Sequence, residues 1–420
     1  MSTLISILGI VVLLGIAFLL SNNRKAINFR TVFGALGIQI FIGALILYVP
    51  AGRDALNWLA NGVQKVINYG NEGISFLFGG LVSDKMFEVF GGGGFVFAIR
   101  VLPTIVFFSA LISLLYYIGV MQWIIRIIGG GLQKLLGTSK AESMSAAANI
   151  FVGQTEAPLI VKPYISKMTE SELFAIMCGG LASIAGSVMA AFAGLGIPLP
   201  YLIAASFMAA PAGLLFAKLL YPQTEKFNDN LEENAETKPA NILDAAANGA
   251  LSGMQLALNV GAMLIAFVAL IALLNGILSG VGGLFGMSDL SLGLILGWIF
   301  KPLAWVVGVP WAEAEIAGRM IGTKLAINEF VGYVEFAPYL SDAAPAVLTD
   351  KTKAIITFAL CGFANFSSIA ILIGGLGGMA PTRRGDIARL GIKAVIAGSL
   401  ANLMSAAIAG LFIGLGGVAL

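Results

Sequence analysis

The sequence predicts an all-α polytopic membrane protein, with eight transmembrane helices, two oppositely oriented re-entrant hairpins and interfacial helices arranged as an inverted repeat. Three observations lead there. The 420 residues are 58% hydrophobic and only 11% charged, whereas soluble domains run at about 45–50% and about 25%. Eight apolar stretches approach or exceed the roughly 20 residues that cross a bilayer. Two further stretches are apolar yet interrupted by Glu, Asn, Gln or Pro, and irregular backbone at membrane depth survives only when buried in protein or lining a cavity. A mean hydropathy of +0.94 with 53 Gly fits, because Gly is more frequent in membrane helices than in soluble ones.

The same composition excludes several classes. With 24 basic and 22 acidic residues the net charge is +2, so no cationic surface exists to attract nucleic acid. There is no His, and the two cysteines, Cys178 and Cys361, are far apart in the chain, which leaves imidazole and thiolate metal sites almost without ligands. Ion chemistry has to rest on carboxylates, amides, hydroxyls and backbone carbonyls. An enzyme is disfavoured, since His is missing and no sizeable soluble domain is visible. A passive channel is disfavoured because the polar residues cluster instead of lining every span.

The spans are 3–20, 31–49, 95–119, 173–191, 201–220, 251–278, 353–376 and 392–415. The first is an anchor and not a cleaved signal, since Arg24 and Lys25 follow its apolar run instead of preceding it. With the N-terminus outside, the interior segments are 21–30, 121–142, 162–172, 221–247 and 377–393, and each contains Lys or Arg, as the positive-inside rule requires. The acidic run 228–236 weighs little in that rule. Both termini then lie on the outer, periplasmic side of a bacterial inner membrane. The apolar stretch 290–310 carries Lys301 and Pro302 at its middle; counting it as a span would turn Arg383 and Arg384 outward, so it reads as interfacial or re-entrant. Segment 54–67, with Arg53, Trp58 and Lys65, reads as an amphipathic helix on the outer surface. Gly91–Gly94 reads as a loop before the third span, and without a following Gly-Lys-Ser/Thr it is no phosphate loop.

The first interrupted stretch, 143–162, contains Asn149, Gly153, Gln154, Thr155, Glu156 and Pro158 and reads as a hairpin entering from the inside. A charged residue there marks a functional site by default; the plainer alternative is that Glu156 caps a helix end. The second, 312–335, places Glu313, Glu315, Arg319 and Lys324 around an apolar run and Asn328-Glu329-Phe330 at its turn. Here the plainer alternative is a surface cap. Each hairpin precedes a span with a similar opening, Met177-Cys178-Gly179-Gly180 and Leu360-Cys361-Gly362-Phe363, in which the cysteines take matching positions. One unit begins inside and the other outside, and in such inverted repeats ligand sites lie near the midplane on broken helices. The domain organisation that follows is 1–122, N-terminal spans and outer interfacial helix; 123–220, first repeat; 221–310, cytoplasmic loop, sixth span and interfacial element; 311–420, second repeat. Small polar residues such as Ser183 and Ser187 also pack helices, and the glycines of 374–378 are compatible with close packing or with a hinge.

The polar inventory is Gln154, Thr155, Glu156, Glu329, Asn365 and Ser368, with Val188 and Phe363 as apolar neighbours. It suits an uncharged amphipathic ligand, because amides and carboxylates bond both edges of a heterocycle or sugar hydroxyls and an aromatic face packs on a ring. An anionic ligand would want Arg, and only Arg319 and Lys324 come near. The motifs Gly153-Gln154-Thr155-Glu156-Ala157-Pro158-Leu159, Asn328-Glu329-Phe330 and Gly362-Phe363-Ala364-Asn365-Phe366-Ser367-Ser368 resemble those of the bacterial concentrative nucleoside transporters, over essentially the whole chain. The resemblance implies a homotrimer in the lipid bilayer, a scaffold subdomain around the third and sixth spans, and a transport subdomain that moves like an elevator. It implies that Gln154, Thr155 and Glu156 address the nucleobase with Val188 nearby, and that Glu329, Asn365 and Ser368 bind the ribose beside Phe363. It also implies a sodium site of Asn149 and Ser183 side chains with Val152 and Ile184 carbonyls. The alternative left open is proton coupling, with Glu156 or Glu329 as carrier.

Overall fold

Apolar helices joined by polar or glycine-rich breaks build the structure, a computed structural model that describes residues 2–83, 85–90, 95–227, 239–341 and 347–416. The expectations for Gly91–Gly94 and for the acidic run 228–236 fall outside the described residues. The chain opens with α1 (Ser2–Leu19) and α2 (Phe29–Leu47). Asn28 starts α2 by accepting from the Arg30 and Thr31 N–H groups, which a helix N-terminus leaves without partners. The surface helix expected over 54–67 is longer, α3 (Pro50–Phe78), and buries Gly52, Leu56, Ala60, Ile67, Gly70 and Ile74 along one face. After α4 (Lys85–Phe90), the third span comprises α5 (Phe97–Arg100) and α6 (Leu102–Tyr117), with Pro103 in the first turn of α6.

Between the third span and the first hairpin lies a helix that the sequence reading left as an interior segment, α7 (Val120–Leu136). It is bounded by Gly119 and Gly137 at φ +87° and +69°, left-handed backbone that glycine adopts without penalty, and its buried stripe is Met121, Ile125, Gly129, Leu132 and Leu136. The first hairpin follows as α8 (Lys140–Ala148), a turn, and α9 (Lys162–Ile165). The span expected over 173–191 is two helices, α10 (Glu170–Ala182) and α11 (Gly186–Gly194), separated by extended backbone at Ser183 and Ala185. Next come α12 (Leu199–Leu220), α13 (Ile242–Gly283) and α14 (Leu292–Val306), the last within the segment read as interfacial or re-entrant. The second hairpin is α15 (Ala314–Ala326) and α16 (Glu329–Phe336). It leads into α17 (Asp350–Leu360) and α18 (Ser367–Met379), so the span expected over 353–376 is also broken, and α19 (Arg384–Gly414) completes the fold. Among the described residues six helical stretches are long and apolar enough to cross a bilayer; the broken seventh span and the short first helix account for the difference from eight.

One expectation is corrected. Cys178 and Cys361 do not occupy matching places: Cys178 lies inside α10, more than a turn before its Ser183 end, whereas Cys361 itself caps α17. The Gly179-Gly180 pair was part of that likeness, yet it does not break the helix. A Cβ at Gly180 would sit 2.8 Å from Gln154 Cβ, and one at Gly179 would sit 3.1 Å from Asn149 Nδ2. These glycines let the first hairpin touch α10. Gly375, in the run left open between packing and hinge, likewise lies against Thr155.

Hydrogen bonds bring the expected interior segments to one end of the molecule. The Asn22 N–H donates to Leu220 O at 2.9 Å, and Arg30 Nη2 and Thr31 Oγ1 reach Lys134 O and Leu136 O. Arg383 Nη1 reaches Met168 O at 2.5 Å and Arg389 Nη2 reaches Glu170 Oε1 at 2.5 Å, while Lys393 bonds Asn22. The base of the first hairpin is at this end too, where Glu142 pairs with Lys218 of α12 and Lys218 donates to Ser171 Oγ at 2.9 Å. The second hairpin opens at the other end: Glu313 accepts from the N–H and Oγ1 of Thr349, both at 3.0 Å, at the start of α17, whose Ile355 lies against Gly410 near the far end of α19 from Arg389. The two hairpins therefore enter the fold from opposite ends.

Two kinds of helix packing hold this frame. Helices α10 and α12 are almost wholly buried within the protein and pack on α19, whose Ala397, Ala401, Met404, Ser405 and Ile408 are buried. Helix α13 packs on α6 through Gly249 and Gly253, where a Cβ would come within 2.8 Å of Ala110 Cα and of Val106 Cα respectively. Small residues at this spacing permit close backbone approach in membranes, and Ser113 Oγ adds a bond to Ala245 O at 2.7 Å. Overpacking costs about 1–3 kcal/mol, so Gly253→Val should lower the thermal midpoint of the purified protein, with Gly276→Val, at an open position, as the neutral control.

Candidate functional site

The two hairpin turns and the two helix breaks converge. In the first hairpin, α8 stops at Asn149, and the chain turns through Gly153–Glu156 with Glu156 Oε2 accepting from the Gly153 N–H at 2.8 Å. The Glu156 side chain therefore closes its own turn and caps no helix, and the residue is exposed there. In the second hairpin Asn328 accepts from the Val331 N–H at 2.9 Å and starts α16. It is a cap, as the plainer reading had it, but a buried one, and so is Glu329 beside it.

The break after α17 carries the next group. Asn365 Oδ1 accepts from the Ser368 N–H at 2.9 Å and from Ser367 Oγ at 2.7 Å, which caps the first turn of α18. Its Nδ2 donates to Glu329 Oε2 at 2.9 Å, and Gln154 Nε2 donates to Ser368 Oγ at 3.4 Å. A single chain of polar groups therefore runs Gln154–Ser368–Asn365–Glu329 and joins the two hairpins across the N-terminus of α18. All four members are at most 5% exposed, yet Gln154 Oε1 has no partner in the protein. Around it lie Thr155 against Gly375, the half-buried Phe363, and Val188 buried on α11. The direct bonds join Gln154, Ser368, Asn365 and Glu329; Glu156 contacts its own turn.

Beside this chain is a second cluster. Asn149 is 1% exposed, and neither its Oδ1 nor its Nδ2 has a hydrogen-bond partner, although an unmet buried polar group costs about 1–3 kcal/mol. Ser183, which ends α10, is buried and donates to Gly179 O at 3.1 Å. The Gly186 N–H donates to Phe151 O at 2.9 Å and ties the break after α10 to the first hairpin. Among the described residues no backbone N–H outside the helices donates to the carbonyls of Val152 or Ile184. An orphaned amide oxygen, a hydroxyl and two backbone carbonyls form the oxygen set that a hard cation takes, so these residues fit a sodium ion.

Other polar residues were missed or assigned differently. Lys324, noted as a charge near the ligand, is buried against Ala359 O and Asn402 Oδ1, and Arg319 donates to Tyr339 Oη at 2.9 Å. Asn402 stands alone in an apolar span, and its sequence carries no signal beyond that isolation. The Glu142–Lys218 pair lay in segments read as an interior loop and a plain span.

Comparison with known proteins finds three family matches along the chain. Residues 8–81 match the Na+ dependent nucleoside transporter N-terminus, residues 98–199 the nucleoside recognition (Gate) family, and residues 201–410 the Na+ dependent nucleoside transporter C-terminus. The nucleoside permease NupC of Helicobacter pylori is 59% identical over 414 residues, which cover 99% of each chain. The structure of CNTnw in an inward-facing substrate-bound state superposes with a TM-score of 0.97 at 67% identity, covering 100% of both chains. An outward-facing variant of CNTnw superposes with a TM-score of 0.96 over the same coverage. With profile matches along nearly its whole length and relatives of this identity, the chain belongs to the Na+-dependent, concentrative family of nucleoside transporters, as a bacterial member.

Proposed function

We propose that this protein is a Na+-coupled nucleoside symporter of the bacterial inner membrane, taking up nucleosides such as uridine by an elevator-like alternating-access movement. The observation that carries it is the buried chain Gln154–Ser368–Asn365–Glu329 beside the unpartnered Asn149 amide. The chain offers donors and acceptors to an uncharged ligand, and the amide offers an oxygen to its coupling ion. In this reading Gln154, Thr155 and Glu156 face the nucleobase, with Val188 packed nearby. Glu329, Asn365 and Ser368 take the ribose hydroxyls, and Phe363 packs beside the ligand. Asn149 and Ser183 side-chain oxygens with the Val152 and Ile184 carbonyls take the sodium ion.

The ties between the parts supply a mechanism. Ordering Asn149 and Ser183 around one ion fixes the first hairpin against the break after α10, to which the Gly186–Phe151 bond already joins it. Gln154 on the same hairpin then meets Ser368. Ion and nucleoside therefore strengthen each other's binding, and that coupling is reciprocal. The α6–α13 pair serves as the scaffold subdomain, and the hairpins with the broken helices form the transport subdomain. Three copies assemble in the lipid bilayer with both termini outside.

Uptake of labelled uridine into liposomes, under an imposed Na+ gradient or an imposed proton gradient, tests this. Uptake driven by Na+ alone is expected. Uptake driven by protons alone would overturn sodium coupling and move it to Glu156 or Glu329, and no uptake under either gradient would overturn the substrate.

A further inference from the structure

The break between α17 and α18 is held by a buried ammonium. Lys324, on α15, is 3% exposed, and its Nζ lies 2.7 Å from Ala359 O and 2.6 Å from Asn402 Oδ1. Among the described residues no carboxylate forms an ion pair with it. Its bonded shell is a backbone carbonyl and an amide oxygen. An ammonium is costly to bury; the Glu329 carboxylate, beyond ion-pair distance, acts on it electrostatically, and the oxygens bonded to it add to that attraction.

A further attraction comes from the helix ends. The last carbonyls of a helix lack intrahelical partners and carry the negative end of its dipole. Helices α10 and α17 both stop at this place, and Asn402 of α19 spans them: its Nδ2 donates to Ala182 O at 2.6 Å and to Cys361 O at 2.8 Å, while its Oδ1 accepts from Lys324. The Phe363 N–H adds a bond to Ser183 O at 3.2 Å across the same crossing. Gly362 makes room for this arrangement, since a Cβ there would lie 2.4 Å from Asn402 Oδ1. The segment so fixed, Gly362–Ser368, carries Phe363, Asn365 and Ser368.

The two crossings differ in one respect. At the first, the Asn149 amide is unpartnered and no backbone N–H outside the helices is bonded to the carbonyls of Val152 and Ile184 among the described residues. At the second, the oxygens are already occupied by Lys324. We propose that Lys324 is the resident cation of the second repeat: a tethered ammonium that holds the crossing of the two broken helices in its ligand-binding shape, the task that an exchangeable sodium ion performs in the first repeat. The comparison with sodium rests on the proposed function. Lys324 acts through Ala359, Asn402 and the segment they fix, so it is a positioning residue for Asn365 and Glu329.

Lys324→Ala removes both charge and stem, and a small amine can refill the space. The measurement is uridine affinity of the purified protein by calorimetry, in sodium and in choline chloride, with and without n-propylammonium or n-propanol. The variant should bind uridine about tenfold more weakly or worse, and n-propylammonium should restore most of the loss while n-propanol restores none. Wild-type affinity in the variant, a loss that the amine does not reverse, or equal rescue by the alcohol would each overturn the proposal. Should the Ala variant fail to give monodisperse protein, Lys324→Met, which keeps an apolar stem without charge, takes its place. A folded Met variant with weakened binding supports the proposal, wild-type binding in it overturns it, and failure of both variants to fold also overturns it, as Lys324 would then serve folding alone. Wild-type uridine binding that ignores sodium would reject the sodium reading and leave the amine comparison standing.

Discussion

Glu329→Gln should weaken uridine binding about 10- to 100-fold, because hydrogen bonds to charged groups contribute about 1.5–3 kcal/mol, while the purified protein remains folded. The fold loses little: Asn365 Nδ2 donates to Glu329 Oε2, and the Gln carbonyl accepts the same bond. What is gone is the charge that would strengthen bonds to ligand hydroxyls and that acts electrostatically on the buried Lys324. Asn365→Asp should do more harm. It keeps the oxygen that accepts from the Ser368 N–H, so α18 still starts at the same place, but the donor to Glu329 is lost and two carboxylates face each other, of which one takes up a proton. Calorimetry with uridine on both variants checks this. Unchanged affinity in both would remove Glu329 and Asn365 from the binding site.

The second large effect is expected at Asn149, and its signature is unusual. Both amide atoms are buried without partners, so Asn149→Ala removes no hydrogen bond that the protein itself makes and relieves an unmet polar group worth about 1–3 kcal/mol. In choline chloride the variant should melt at or above the wild-type temperature. In sodium chloride the order should reverse, since an ion that binds only the folded state stabilises it in proportion to the logarithm of concentration over dissociation constant, and the variant has lost an oxygen ligand. Melting curves across a sodium titration give the result. A wild-type sodium response in Asn149→Ala would exclude this residue from the ion site.

Much of the site was legible because its residues break local rules. Glu156 and Glu329 stand in apolar runs where charge is expensive, and the interrupted stretches around them announce backbone that must be buried in protein. The basic residues of 21–30, 162–172 and 377–393 were assigned to one side from charge alone, and Arg389–Glu170 and Lys393–Asn22 show that those segments meet. The helix breaks were harder to place. Gly179-Gly180, read as part of an opening shared by two spans, serve close approach of the first hairpin, and α10 runs on to Ala182. Local sequence does not say whether a glycine serves the backbone that carries it or a neighbour that touches it. The crossing at Asn402 was invisible for the same reason, as its three partners come from α10, α15 and α17.

The length of α13 has a consequence for the surroundings of the protein. Its 42 residues extend to about 63 Å if straight, at 1.5 Å per residue, roughly twice the hydrocarbon thickness of a bilayer. Its close contacts with α6 lie toward its N-terminal side, at Gly249, Gly253 and Gly261. Beyond them Ile265, Leu270, Leu273, Ile277 and Phe285 are exposed on the single chain. Such a helix cannot match the membrane standing upright. It must lean well past the usual tilt of about 20°, project from the surface, or deform the lipid around it. Acyl-chain length in a reconstituted system is therefore a mechanical variable acting on the frame against which the hairpins are packed.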